Sequence, residues 1–237
     1  SALHAGMVGK RVIEAMCRIR CTAEVASEFR YENPIIGKKD MCIVISQSGE
    51  TADTLAAMRL AKQAGAFTIA IVNVVSSTIA READGVLYTW AGPEIAVATT
   101  KAYSAQLAAL YLISVKIARV RGLISIGDER ALCTELQRLP ECITETLKCQ
   151  PDMQRIATLY ANRPSVFFLG RGLDYAAALE ASLKLKEISY IHSEAYAAGE
   201  LKHGTISLIE DGTLVVALAT QPALFEKTVS NIREVVA

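Results

Sequence analysis

The stretch ISQSGETADTLAAMRLAKQAG, residues 45–65, joins an apolar run to a segment with helical spacing. The apolar run, residues 41–45, has the composition of a buried strand, and apolar residues recur at helical intervals over residues 51–64. Between them lies the hydroxyl-rich sequence SQSGET, residues 46–51, which we call the SQSGET turn. A strand that passes through such a turn into a helix predicts a site for an anion.

The chemistry of the SQSGET turn favours a phosphate monoester. The first amide groups of a helix have no internal partners and carry partial positive charge. Ser46, Ser48 and Thr51 add hydroxyl donors, Gln47 adds an amide, and Gly49 lets the backbone approach a ligand closely. The turn has neither G-x-G-x-x-G nor a Walker lysine, which favours a small phosphorylated molecule over a nucleoside triphosphate. Ordinary capping of the helix by one hydroxyl is the alternative.

Composition limits the classes of function. The chain has 237 residues, enough for one large or two small domains, and Lys+Arg and Asp+Glu both number 25. A nucleic-acid or anionic-membrane partner normally requires a basic excess, which is missing here. The six cysteines form no C-x-x-C pair, and three histidines are too few for a zinc cage. We therefore expect free thiols and a cytoplasmic location, with no metal.

Strands and helices alternate along the chain, which predicts an α/β fold with parallel sheets covered on both faces. The predicted strands are residues 21–25, 41–46, 67–73, 86–89, 165–169 and 213–219. The predicted helices are residues 3–16, 51–64, 98–121, 128–148, 174–190 and 222–236, with Pro151 as a break.

The chain contains two related copies of one unit, offset by 172 residues. SEFRY (27–31) and GELKH (199–203) precede comparable strands in the two copies. We predict a first subdomain at 1–125 that binds a phosphosugar, a connecting helix at 126–150 and a second subdomain at 151–237. The first copy lacks an opening strand and the second stops before its last two, so we expect a fragment of a longer architecture.

Four motifs extend the argument beyond local chemistry: SQSGETADT, AGPEIAVATTKAY, LKLKEISYIHSEAYAAGELKHG and the leading HAG. Together they resemble the sugar isomerase (SIS) half of the glutamine–fructose-6-phosphate aminotransferase family. The resemblance implies two tandem SIS subdomains, each a flavodoxin-like three-layer αβα unit. It also implies conversion of fructose 6-phosphate and glutamine to glucosamine 6-phosphate and glutamate, the first step of amino-sugar synthesis, with no metal or organic cofactor.

The resemblance also implies parts that this chain does not include. The family carries an N-terminal glutaminase domain and, in a C-terminal tail, a lysine that forms a Schiff base. We therefore expect the chain to be inactive when it is alone.

Site residues are carried over where the motifs match. The resemblance implies that the substrate-binding residues are Ser1, Ser46, Gln47, Ser48, Thr51, Val97 and Thr99. In the second copy the SQSGET turn is replaced by ATQP, residues 219–222, which has fewer donors. Only the first copy is therefore expected to hold phosphate.

Three further residues match the family's catalytic groups. Glu187 matches the base that moves a proton between adjacent carbons, and Lys184 keeps that carboxylate ionised or relays protons. On spacing alone, a surface ladder of salt bridges among Glu180, Lys184 and Glu187 is favoured, and only the surrounding motif LKLKEISYIH reverses that preference. His203 matches the histidine that opens the sugar ring from the neighbouring subunit, which implies a homodimer with a shared active site.

Two other functions use the same fold. A stand-alone phosphosugar isomerase would interconvert sugar phosphates without ammonia. A non-catalytic sugar-phosphate sensor would bind without turnover, but such regulators carry a basic recognition helix, and no such segment is visible here.

Overall fold

The computed structural model describes residues 1–237, which divide into two compact units, Ser1–Leu123 and Ile124–Ala237. None of the helices has the length and apolarity that crossing a membrane requires.

The first unit is built on a three-stranded parallel sheet in the order β1-β2-β3. Its strands are β1 (Met41–Ser46), β2 (Phe67–Val72) and β3 (Gly85–Tyr88). Met41 lies opposite Phe67, and Ile69 lies opposite Gly85. Because the strands are parallel, their carboxyl ends meet at one edge of the sheet.

Helices cover both faces of this sheet. They are α1 (Ala2–Cys17), α2 (Ala26–Phe29), α3 (Ala52–Gln63), α4 (Thr78–Glu82) and α5 (Lys101–Val120). Successive side chains of a strand point to opposite faces, so β2 contributes to two cores. Ala70 and Val72 pack with Met58 of α3, whereas Ile71 packs with Leu110 of α5. The predicted three-layer αβα arrangement is therefore confirmed for this unit.

The second unit has the same plan. Its strands β4 (Ser165–Gly170), β5 (His192–Ala197) and β6 (Leu214–Ala217) are parallel, in the order β5-β4-β6. Its helices are α6 (Ile126–Gln137), α7 (Leu139–Thr146), α8 (Gln150–Tyr160), α9 (Leu173–Ser189) and α10 (Phe225–Val236). Phe168 packs with Ala178 of α9, and Leu169 packs with Val235 of α10, so this sheet is also covered on both faces.

The offset of 172 residues is confirmed by three pairs of elements. Shifting α1 gives 174–189, close to the bounds of α9. Shifting β1 gives 213–218, which contains β6, and shifting α3 gives 224–235, close to α10. The two units therefore share one chain path over helix, strand and helix.

The predicted strand at residues 21–25 is wrong, since this segment is irregular. Its counterpart in the second unit is β5, an edge strand that pairs only with β4. The structure has no strand before α1 to take the part of β4. Without a neighbour, the segment makes no ladder of hydrogen bonds and is not a strand.

Prolines account for two further differences. The helix predicted at 128–148 is divided, because Pro140 stands at the start of α7. Pro151, predicted as a break, stands at the start of α8, a helix that the sequence did not predict. Proline is tolerated in the first turn of a helix, where its missing N–H has no partner to lose. Apart from the prolines, the sequence did not predict the strand β5.

Candidate functional site

The SQSGET turn connects β1 to α3, so it lies at the carboxyl edge of the first sheet. The Ser46 hydroxyl accepts a hydrogen bond from the Gly49 amide at 3.0 Å and lies 3.1 Å from the Thr51 hydroxyl oxygen. The Ser48 hydroxyl accepts from the Glu50 amide at 3.2 Å. The three predicted hydroxyl donors are therefore held by the backbone of one turn.

Thr51 does not cap the helix that it precedes. It occupies the N-cap position of α3, yet its side chain accepts no hydrogen bond from a helix amide and instead lies against Ser46. The Thr51 hydroxyl therefore does not cap α3, and capping does not explain its presence in the turn. The amide groups in the first turn of α3 keep the partial positive charge that favours an anion.

The back of the turn is braced by α4. The Gly49 carbonyl accepts from the Ile79 amide at 3.0 Å, and the Glu50 carboxylate accepts from the Thr78 amide at 2.6 Å. The backbone hydrogen bond from Thr78 holds the pKa of Glu50 below its usual value, so this carboxylate is ionised and committed to α4. Gly49 has a positive φ of 66°, and a Cβ there would overlap the Ser77 hydroxyl.

A second carboxylate next to the turn is paired with a cation. Asp53 lies in the first turn of α3, and the Arg30 guanidinium donates to it at 2.8 Å. An unpaired carboxylate would repel a bound phosphate, and the guanidinium offsets that repulsion. This pair was missed from the sequence, because 23 residues separate its members.

The segment after β3, residues 89–100, carries Val97 and Thr99, and we call it the strap. The Thr99 hydroxyl donates to the Glu94 carboxylate at 2.8 Å, and the Ala102 amide of α5 approaches the same carboxylate at 3.4 Å. Val97 is 89% exposed. The strap therefore presents Val97 outward, while Glu94, which the sequence did not single out, fixes Thr99 to the start of α5.

Ser1, which is also predicted to bind substrate, is the N-cap residue of α1. Its carbonyl oxygen accepts from the Ala5 amide at 2.9 Å, so the helix begins directly after it. Its role in binding substrate stays a prediction.

The second unit fills the corresponding place with its own side chains. At the offset of 172, Ala2 and Ser48 correspond to Asp174 and Thr220. The Asp174 carboxylate, itself buried, accepts from the Thr220 amide at 2.8 Å and from the Thr220 hydroxyl at 2.5 Å. The donors of Thr220 are therefore occupied by an internal carboxyl group, and the Gln221 amide donates to the Arg171 carbonyl at 2.6 Å, which supports phosphate binding by the first copy alone.

Lys184 binds two carboxylates on α9. Its ammonium group lies 2.5 Å from Glu187 and 3.4 Å from Glu180. The side chains of Lys184, Glu187 and Glu180 are 16%, 25% and 7% exposed, so the cluster is not a solvated ladder on the surface. The Glu187 carboxylate is therefore held in place by a partly buried ammonium group.

His203 ends a 3-10 turn, Leu201–His203, and is exposed. Its amide donates to the Glu200 carbonyl at 3.0 Å, and Gly204 follows with a φ of 137°. The glycine lets the chain reverse directly after the histidine, which leaves the imidazole at the surface of the second unit.

The two units match a known protein family. The SIS domain family matches residues 1–116 and 159–237, which make up most of the chain. The chain belongs to the SIS domain family. The fold that the motifs implied, two tandem SIS subdomains, is thereby confirmed.

Relatives of this SIS chain agree with the motifs. Glutamine–fructose-6-phosphate aminotransferase [isomerizing] from Clostridium tetani is 59% identical over 235 residues, which cover 99% of this chain and 39% of that protein. The enzyme of the same name from Methanosarcina acetivorans is 50% identical over 232 residues, covering 98% and 38%. The SIS chain therefore spans less than half the length of these relatives.

Solved structures agree as well. The C-terminal domain of glucosamine-fructose-6-phosphate aminotransferase from Francisella tularensis superposes with a TM-score of 0.96 at 39% identity, covering 99% of this chain and 66% of that one. Tagatose-6-phosphate ketose/aldose isomerase from Escherichia coli gives a TM-score of 0.71 at 18% identity, covering 98% and 63%, which shows the shared fold alone.

We predict that Gly49→Ala destabilises the SIS chain more than Gly122→Ala does. Both glycines have a φ near 70°, so both substitutions carry the cost of a left-handed alanine, about 1–2 kcal/mol. Only Gly49 would also place its Cβ against Ser77, whereas nothing lies within 4 Å of a Cβ at Gly122. Urea unfolding measures both free energies, and equal losses would mean that the turn does not pack against Ser77 as described.

Proposed function

We propose that this SIS chain binds fructose 6-phosphate and supplies the isomerase step in the synthesis of glucosamine 6-phosphate. The observation that carries the proposal is the SQSGET turn, whose hydroxyls lie at the uncapped start of α3. The proposal is also supported by the similarity of this chain to relatives named glutamine–fructose-6-phosphate aminotransferase [isomerizing].

In this proposal the phosphate group lies against the first turn of α3. The amide groups of that turn and the hydroxyls of Ser46, Ser48 and Thr51 donate to its oxygens, with help from the Gln47 amide. A hydrogen bond to a charged group contributes about 1.5–3 kcal/mol, so a few such bonds suffice for a micromolar ligand. Ser1, Val97 and Thr99 complete the set of substrate contacts that we propose.

Glu187 is the proposed base. Conversion of a ketose imine to an aldose amine moves a proton from C1 to C2, and a single carboxylate can take it from the first carbon and return it to the second. Lys184, 2.5 Å from that carboxylate, pairs with it and holds it in position. The reaction needs no metal and no organic cofactor in this scheme.

His203 is the proposed group that opens the sugar ring. Its exposure on the turn suits a residue that acts in the site of a second copy, and we infer a homodimer on this basis. The nitrogen would come from glutamine through a glutaminase part, as the resemblance implies. The six free cysteines fit a reducing, cytoplasmic environment.

Ser48→Ala is predicted to weaken the binding of fructose 6-phosphate about tenfold, because one hydrogen bond to a charged phosphate is lost. Isothermal titration of the chain measures the dissociation constant. Ser230→Ala, at an exposed position on α10, is the matched control and should bind as the unmodified chain does. Unchanged affinity in Ser48→Ala would remove the SQSGET turn from the binding site.

Catalysis is tested in a chimera. This chain replaces the matched segment of the Clostridium tetani enzyme, and production of glucosamine 6-phosphate from fructose 6-phosphate and glutamine is measured. We expect the chimera to be active and Glu187→Gln to abolish synthesis while leaving fructose 6-phosphate binding intact, because a neutral amide cannot accept the C1 proton.

Glu141→Gln, on the exposed face of α7, is the control and should keep the activity of the chimera. Synthesis that survives Glu187→Gln would exclude Glu187 as the base. An inactive chimera that still binds fructose 6-phosphate would contradict the isomerase proposal and favour a sugar-phosphate sensor.

A further inference from the structure

We propose that Asn73 is a positioning residue that couples the SQSGET turn to the strap, so that the phosphate and the sugar of one ligand are bound together. The inference rests on the proposed function, since it concerns the same ligand. Asn73 touches neither the phosphate nor the sugar in this scheme and acts through the two segments that it joins.

The location of Asn73 makes this coupling direct. It is the first residue after β2, the middle strand of the first sheet. The SQSGET turn follows β1 on one side, and the strap follows β3 on the other. A residue at the end of the middle strand can therefore contact both neighbouring segments at the carboxyl edge.

Asn73 makes hydrogen bonds in both directions. Its backbone amide donates to the Gln47 carbonyl at 3.1 Å, which joins it to the SQSGET turn. Its side-chain Nδ2 donates to the Gly92 carbonyl at 2.7 Å. Its Oδ1 accepts from the Ala91 amide at 2.8 Å and from the Thr89 hydroxyl at 3.1 Å. The carboxamide thus bonds three successive parts of the strap.

The strap depends on these bonds for its conformation. Trp90 and Gly92 both have positive φ, 52° and 71°, and a tryptophan in this region is strained. Apolar burial offers little compensation, because Trp90, Ile95 and Val97 are 76%, 93% and 89% exposed. The hydrogen bonds of Asn73, together with the bond from the Thr89 amide to the Val72 carbonyl at 2.9 Å, therefore hold the first part of the strap against the sheet.

Farther along, the strap holds the residues proposed to contact the sugar. Glu94 fixes Thr99 at 2.8 Å, and Val97 lies between them in sequence. A strap released from Asn73 would be held only at its far end, where Glu94 bonds Thr99 and Ala102, so its first part and Val97 would no longer have a fixed place against the sheet. The SQSGET turn, in contrast, would keep its own bonds between Ser46 and Gly49 and its bonds to α4.

The chemistry of the carboxamide suggests a sharp substitution. Asn73→Asp preserves the shape of the side chain and its acceptor oxygen, but it replaces the donor to the Gly92 carbonyl with a charged oxygen. That oxygen repels the carbonyl oxygen it faces. Thr89→Val is a milder change. Valine has the shape of threonine, so this variant removes only the hydroxyl that donates to Oδ1 of Asn73.

The test compares two ligands, fructose 6-phosphate and inorganic phosphate, titrated into the chain and followed by amide NMR shifts. We expect Asn73→Asp to weaken fructose 6-phosphate about tenfold more than inorganic phosphate, because repulsion from the new carboxylate acts on both ligands whereas loss of the strap acts on the sugar alone. Thr89→Val should weaken fructose 6-phosphate about two- to threefold, with phosphate unchanged. Asn162→Asp, at an exposed position of the second unit, should change neither.

Hydrogen exchange gives a second readout. Repulsion between the new carboxylate and the Gly92 carbonyl displaces the strap from residue 73, so the Ala91 amide should exchange faster in Asn73→Asp, while the Gly49 amide in the turn is unchanged. Equal loss of both ligands in the two variants, or no loss of fructose 6-phosphate, would overturn the positioning role. An unmodified chain that binds neither ligand would instead overturn the proposed function, a result seen before any variant is made.

Discussion

The unpaired amide groups at the start of α3 are the feature on which the rest of the first unit depends. A helix start that binds an anion must be left uncapped, and Thr51 meets this condition by directing its hydroxyl to Ser46. The nearby carboxylates must not repel the ligand, and Asp53 and Glu50 are held by Arg30 and by the Thr78 amide. Gly49 is required because α4 packs against the turn.

The parallel sheet converts this local feature into a site. It brings the ends of three successive strands to one edge, so that the turn, Asn73 and the strap become neighbours although the strap begins some forty residues after the turn. The second unit uses the same chain path with a different outcome. There a buried carboxylate, Asp174, takes the donors of Thr220, so the duplicated edge is closed by internal bonds. One duplicated architecture thus leaves a helix start uncapped in one copy and closes the equivalent edge by a structural contact in the other.

Local signals in the sequence were sufficient for much of the fold. The strand, turn and helix of residues 41–64 were predicted within one residue, because apolar spacing and turn chemistry act over a few positions. The irregular segment at 21–25 could not be predicted, since a strand exists only if a partner pairs with it. Arg30 and Asn73 were missed for a related reason. Their side-chain partners lie 16 to 23 residues away, and only the packing of α2 on α3 and the order of the strands bring them together.

The central claim is most directly tested by a crystal structure of the chain with fructose 6-phosphate bound. The account predicts the phosphate group within about 3 Å of the first amide groups of α3 and of the Ser48 hydroxyl, the range of charge-assisted hydrogen bonds. It also predicts that the equivalent turn at Thr220 holds no phosphate. A phosphate group bound elsewhere in the chain, with the SQSGET turn unoccupied, would contradict the account.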